Sequence, residues 1–234
     1  DGIRFARELG IQTVDLKPAL CGIVCSAPFL KELQGLSLKN VRVSAYLGEK
    51  CVSSFFGEML FTHFGISGPT VLSMSSEVNR LDVSKLRIAI DLKPALDAAA
   101  LDRRVLRDFD KYINKKLSNA LAELLPKKLI LPIIAASGND ENAPVHSVTK
   151  AQRERLVHAL KNFSLRAVSL RPIEEGIVTA GGVAVSEVDP KTMQCKKVKG
   201  LYFCGEALDV DAYTGGFNLQ IAFSTGYAAG SSIG

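Results

Sequence analysis

The 234-residue sequence contains no G-x-G-x-x-G and no Walker-type loop. The usual glycine-rich cradle for a dinucleotide pyrophosphate is therefore missing from this stretch of polypeptide. Histidine is scarce, at three residues, and the five cysteines (Cys21, Cys25, Cys51, Cys195, Cys204) include no C-x-x-C. No metal site is expected from that inventory. An odd set of cysteines without disulfide-like spacing reads as reduced thiols, so a cytoplasmic location is expected. No Ser-His-Asp spacing and no paired-carboxylate motif stands out. The longest apolar run, 129–136 (LILPIIAA), is interrupted by Pro132 and is far too short to span a bilayer. No basic-then-apolar leader opens the chain, and no membrane partner is expected. The sequence instead starts directly in a helical pattern, DGIRFARELG, which reads as the inside of a longer protein.

What is present can bury a core. Hydrophobic residues make up 47% and charged residues 23%, a globular balance compatible with one domain or two to three small ones. The net charge of +5 is mild but uneven. Between 102 and 128 there are eight Lys/Arg against four Asp/Glu, and Arg103, Arg107, Lys111 and Lys115 recur every four residues. That spacing stacks them on one helix face. Such a face is either simply solvated or a wall that attracts a phosphate, an acidic substrate or nucleic acid. No RNA-binding motif is present, so nucleic acid is not the expected partner.

The opening helix stops at Gly10, a glycine just past its last apolar residue. From Val14 to Leu92 strand signals dominate: Cys21 to Cys25, the period-two run Val41 to Leu47, Cys51-Val52, Met59 to Thr62, and the alternation from Leu86 to Leu92. Several short strands with little helix predict a small sandwich or barrel. Inside it, Gly65-Ile66-Ser67-Gly68-Pro69 opens a short helix through Ser76, with Pro69 at its first position. From Pro94 to Phe163 the spacing turns helical through Leu101, Val105, Phe109 and Tyr112, then Leu117, Leu121 and Leu124. Residues 137–144 form a polar loop, and Thr149 with Gln152 makes a capping box for a helix through Phe163. Strands return at Arg166 to Leu170 and Gly176 to Val185, and a turn at Asp189 to Thr192 closes a hairpin onto Met193 to Val198.

The stretch 200–226, GLYFCGEALDVDAYTGGFNLQIAFSTG, carries the most chemistry. Leu201 to Cys204 reads as a strand buried on both faces of an α/β sheet, with Gly205 and Glu206 at its carboxyl end, where such sheets bind ligands. Asp209 and Asp211 follow. Gly215-Gly216 precede a helix through Phe217, Leu219, Ala222 and Phe223. Its start offers free N–H groups and a positive dipole end. Gly181-Gly182 interrupt a strand, as a β-bulge or as a close approach to a ligand. His63, with Thr62 and Ser67 beside it, is the weak candidate for a catalytic group; none is assignable outright.

Three stretches, GEMLFTHFGISGPTVL, VTAGGVAVSEVDPKTMQCKKVKGLYFCGEALDV and DAYTGGFNLQIAFSTGYAAG, resemble the signature segments of a bacterial flavoprotein family. Its members are labelled NAD(P)/FAD-dependent oxidoreductases and include an aminoacetone oxidase and a bile-acid reductase. The resemblance runs in order over essentially the whole chain and matches the C-terminal part of such proteins. It implies an α/β plus β fold: part of a Rossmann-like FAD domain (1–13 and 176–234), an inserted β-barrel-like domain (14–94 and 164–175) and a helical insert (95–163). It also implies an FAD site, incomplete here, with Glu206 as the carboxylate near the ribityl chain and Gly205 and Asp209 among the cofactor-binding residues. Gly215, Gly216, Phe217, Asn218 and Leu219 would face the pyrimidine edge, and Gly181 and Gly182 would lie near the isoalloxazine ring. NADH or NADPH would be the electron donor and a small molecule the substrate. The alternative is an anion- or RNA-binding module with a vestigial flavin fold.

Overall fold

The structure is a computed structural model that describes residues 2–233. Asp1 and Gly234, the ends of the expected FAD-domain segments, lie outside the described residues. The chain divides into two compact units, one of residues 1–23, 71–83 and 170–234, the other of residues 24–70 and 84–169.

The second unit is built on a closed six-stranded barrel. Its strands are β2 (Ile23–Ser26), β3 (Ser37–Leu47), β4 (Lys50–Phe61), β5 (Gly65–Ser67), β6 (Leu86–Asp91) and β7 (Phe163–Leu170). They close in the order β2-β5-β4-β3-β6-β7, and all the registered pairs are antiparallel. Phe163, Leu165 and Ala167 of β7 are buried while Ser164, Arg166 and Val168 are exposed, the period-two signature of a half-buried strand. Cys51-Val52 and Met59 to Thr62, expected as separate strands, belong to the single long β4, except Thr62, which lies just past its end. Its register shifts against β3 between Leu38 and Val41, and again at Ala45 and Tyr46.

The helices α2 (Leu30–Leu33) and α3 (Pro69–Val78) come before β6, and among the described residues four α-helices follow it and precede β7: α4 (Ala98–Lys111), α5 (Leu117–Ala120), α6 (Lys127–Ala136) and α7 (Lys150–Lys161). The Asp97 side chain caps α4 by accepting from Ala100 N–H at 2.7 Å, and the Thr149–Gln152 capping box of α7 is fully formed. Helical spacing through Leu124 is not realised as one helix. α5 ends at Ala120, and Leu121 and Leu124 are buried from the turns that follow.

In the first unit, α1 (Gly2–Glu8) leads into β1 (Thr13–Ala19), which pairs antiparallel with β8 (Val178–Val183). β1 therefore belongs with β8, and not with the barrel to which residues from 14 onward were expected to contribute. The core gathers Ala6, Ile11, Val183, Val188, Phe203 and Leu208. Leu201 to Cys204 does not form the expected buried strand of a parallel sheet. Among the described residues, the only sheet in this unit is the two-stranded β1–β8. The apolar run is satisfied locally instead. Cys195 N–H donates to Leu201 O at 2.7 Å and Phe203 N–H to Met193 O at 3.0 Å, leaving Phe203 buried and Cys204 exposed. The turn at Asp189 to Thr192 forms, but 193–198 is a loop with single bridges, not a strand. The chain ends in the long helix α8 (Phe217–Ser231). Among the described residues, no helix is long and apolar enough to cross a membrane.

Candidate functional site

The start of α8 is built by two consecutive glycines. Gly215 has φ 118° and Gly216, at the N-cap, φ 90°, a region that costs a side-chain-bearing residue dearly. A Cβ at Gly216 would meet nothing within 4 Å, so its glycine identity serves the backbone turn and leaves open space in front of the helix. No side chain caps this end. The first-turn N–H groups of Phe217, Asn218 and Leu219 thus point their positive ends outward, as four-residue helix starts do. The Asn218 side chain is committed elsewhere. It accepts from Ala212 N–H at 2.9 Å and donates to Ala212 O at 2.8 Å, fastening the loop that precedes the glycines.

In front of this helix start lies a cavity of about 430 Å³, in the range of small-molecule sites. Gly205, Glu206, Gly215, Gly216, Asn218 and Leu219 line it, so six of the ten sequence-predicted cofactor residues converge on one space. Gly205 holds its wall together. Its N–H donates to Thr225 Oγ1 of α8 at 2.8 Å, and a Cβ there would press on Ala222 at 3.4 Å. Glu206 is exposed, and one carboxylate oxygen accepts from Thr179 N–H, which leaves the other for a ligand hydroxyl. Apolar residues that sequence reasoning did not single out, Leu20, Ile177, Val178 and Val210, complete the wall. Only their nonlocal packing against the glycine loop could have identified them.

The remaining predicted residues fall elsewhere. Phe217 lines a neighbouring cavity of about 620 Å³ with Glu77, Asp211 and Gln220, and Tyr213 and Ile221 border both spaces. Burial raises the Asp211 carboxyl above the usual range, and Asp209 adds to this while Arg80 and Ser76 oppose it. The Tyr213 hydroxyl donates to Glu77, and that bond, with partial burial and the nearby acids, raises its pKa. Asp209 does not line the cavity. Its Oδ1 accepts from Gly181 N–H at 3.1 Å and from Arg80 Nη2 at 2.9 Å, a clasp across the unit. Gly181 and Gly182 are likewise accounted for by the chain itself. A Cβ at Gly181 would sit 2.4 Å from Asp15 O, and one at Gly182 2.7 Å from Ala207 O.

Thr62 and His63 lie in the other unit, in the turn between β4 and β5, and Ser67 ends β5. Thr62 N–H donates to Gly65 O at 2.9 Å and Gly65 N–H to Thr62 Oγ1 at 3.1 Å, so the turn is rigidly tied. His63 is exposed at its tip, edge-on to Phe64 at 5.1 Å between ring centroids.

Residues 17–178 fit the family described as HI0933-like protein barrel and H2TH domain. The chain belongs to the HI0933-like flavoprotein family. Among its curated relatives, the 3-dehydro-bile acid delta(4,6)-reductase of Clostridium scindens is 32% identical over 232 residues, covering 98% of this chain and 56% of that protein. The ribosomal RNA dihydrouridine synthase of Escherichia coli is 29% identical over 232 residues, covering 99% of this chain and 56% of its own length. That of Haemophilus influenzae is 31% identical over 234 residues, covering 99% and 55%. The chain thus spans little more than half the length of these relatives, and the family resemblance read from the three sequence motifs holds.

Proposed function

We propose that this chain holds the redox end of an FAD and serves a reductase that adds two hydrogens to a ring carbon–carbon double bond conjugated with a carbonyl. The observation that carries the reading is the cavity before α8, where an uncapped, glycine-opened helix start and a half-free carboxylate face one space. The residues fit a flavin. Open space before Gly216 admits a planar ring, first-turn N–H groups suit an electron-rich carbonyl edge, and the second oxygen of Glu206 suits a ribityl hydroxyl. Bound FAD supplies hydride exchange. The protein's own part is to orient the ring, shield it with Leu20, Ile177 and Val178, and stabilise negative charge at the helix start.

The substrate class draws on the relatives. One is named a delta(4,6)-reductase of a 3-dehydro bile acid and two are named synthases of dihydrouridine. We read both names as saturation of a ring double bond made electron-poor by a carbonyl, and transfer that chemistry, with NADH or NADPH as electron source, to this protein. The weak catalytic candidates His63, Thr62 and Ser67 lie in the other unit and are given no part in this step.

The test is flavin retention in the Glu206→Ala variant, made in the protein expressed from its complete reading frame. Loss of the hydroxyl-accepting carboxylate is expected to weaken FAD binding by about ten-fold, the weight of one charge-assisted hydrogen bond. A variant that holds FAD as tightly as the unaltered protein would remove Glu206 from the site.

A further inference from the structure

The net charge of +5 conceals a division. Residues 24–70 and 84–169 carry 20 Lys/Arg against 12 Asp/Glu, a net +8, while the rest of the chain carries 9 against 12, a net −3. Within the positive unit the excess is concentrated by pairing. On and after α4, Asp102 is taken by Arg153, Asp108 by Arg104, and Glu123 by Lys111. Of the acids between 102 and 128 only Asp110 is left, whereas Arg103, Arg107, Lys115 and Lys127 are exposed and make no ion pair among the described residues. Leu101, Val105 and Phe109 bury the inner face of α4, which turns Arg103 and Arg107 outward, one turn apart. The Lys111–Glu123 pair folds the segment carrying Lys115 and Lys116 back against the end of this helix.

We infer that this outward face of α4, with Lys115 beyond it, docks the phosphate backbone of an RNA. Three of the segment's four acids are internally neutralised, so its free side chains present mostly positive charge to a partner. Arginines a helical turn apart suit successive phosphates, and such contacts position a nucleic acid without reading its sequence. Phe109 is buried on the inner face and Lys111 lies over the Tyr112 ring, so base stacking is not asked of this face. The inference rests on the reductase reading for what the contact is for, since a dihydrouridine-forming relative acts on ribosomal RNA by name. The contact itself is measurable without flavin.

The experiment is fluorescence anisotropy of the purified protein with a labelled, uridine-rich short RNA, from about 50 to 200 mM salt, where phosphate contacts register most strongly. The Arg103→Glu/Arg107→Glu variant is compared with Lys191→Glu/Lys199→Glu, which makes the same change in net charge on exposed, unpaired lysines of the negative unit. The α4 variant is expected to bind about ten-fold or more weakly at low salt and to flatten the log–log salt slope by about 1 to 2. The lysine variant is expected to stay within about three-fold of the unaltered protein. Equal losses in both variants, no binding by the unaltered protein, or equal competition by polyglutamate would overturn the inference. Flavin content, followed in the same preparations, separates the two ideas. RNA binding by a colourless protein would fail the cofactor reading alone, and a flavin-loaded protein blind to RNA would fail this inference alone.

Discussion

Asp211 lines the cavity it shares with Phe217 as a carboxylate whose burial outweighs the help it receives from Arg80 and Ser76. Its raised folded-state pKa fixes the sign of its effect. The proton is held more tightly in the folded than the unfolded protein, so the associated stability is full below the ordinary aspartate pKa and is lost as pH rises through the raised value. Asp211→Asn is therefore expected to raise Tm at pH 7, and the gain is expected to shrink toward pH 4. Thermal melts at the two pH values check this. A variant less stable than the unaltered protein at pH 7 would mean that the contacts with Arg80 and Ser76 prevail over burial. Cys25 shows the same physics without a chemical role, since burial pushes its thiol up to about 12 and it stays protonated in the folded protein.

At the scale of elements, the glycine pair of β8 separates structural from cofactor roles. Opposite Gly181, β1 shifts register between Val14 and Lys17, and the backbone of Asp15 fills the space a side chain would need. Gly181→Ala is expected to cost about 2 kcal/mol or more, through both the clash and the left-handed φ of 93°. Urea unfolding measures it, and a cost under about 0.5 kcal/mol would show that the β1–β8 pair yields easily. The elements also divide by how far local pattern could reveal them. The barrel strands at Val41 to Leu47 and Leu86 to Leu92, and the Thr149 capping box, were legible because their signals lie within a few residues. Leu201 to Cys204 was not, because a four-residue apolar run states its need for burial but not its partner. Met193 and Cys195 satisfy it where a parallel neighbour was expected. The β1–β8 pairing was hidden for the same reason, since strands far apart in sequence leave no local trace. α8 leaves the apolar side chains of Leu219, Phe223 and Tyr227 exposed beside the polar pair Gln220 and Ser224.

Across the whole molecule, the site was legible in part. The glycines and Glu206 of 205–219 were found from the strand–turn–helix pattern and the family motifs, and they do meet at one cavity. The apolar wall and the structural duties of Asp209, Gly181 and Gly182 emerged only from packing. The two units divide the molecule's properties. One carries the helix start and the cavity with a negative net charge, and the other carries the barrel, the helices and the positive excess. The central claim is that the first of these receives a flavin. The measurement that tests it most directly is the visible absorption spectrum and flavin content of the protein expressed from its complete reading frame. The account predicts a yellow protein that releases FAD on denaturation, at close to one per chain. A colourless protein that takes up no added FAD would contradict it.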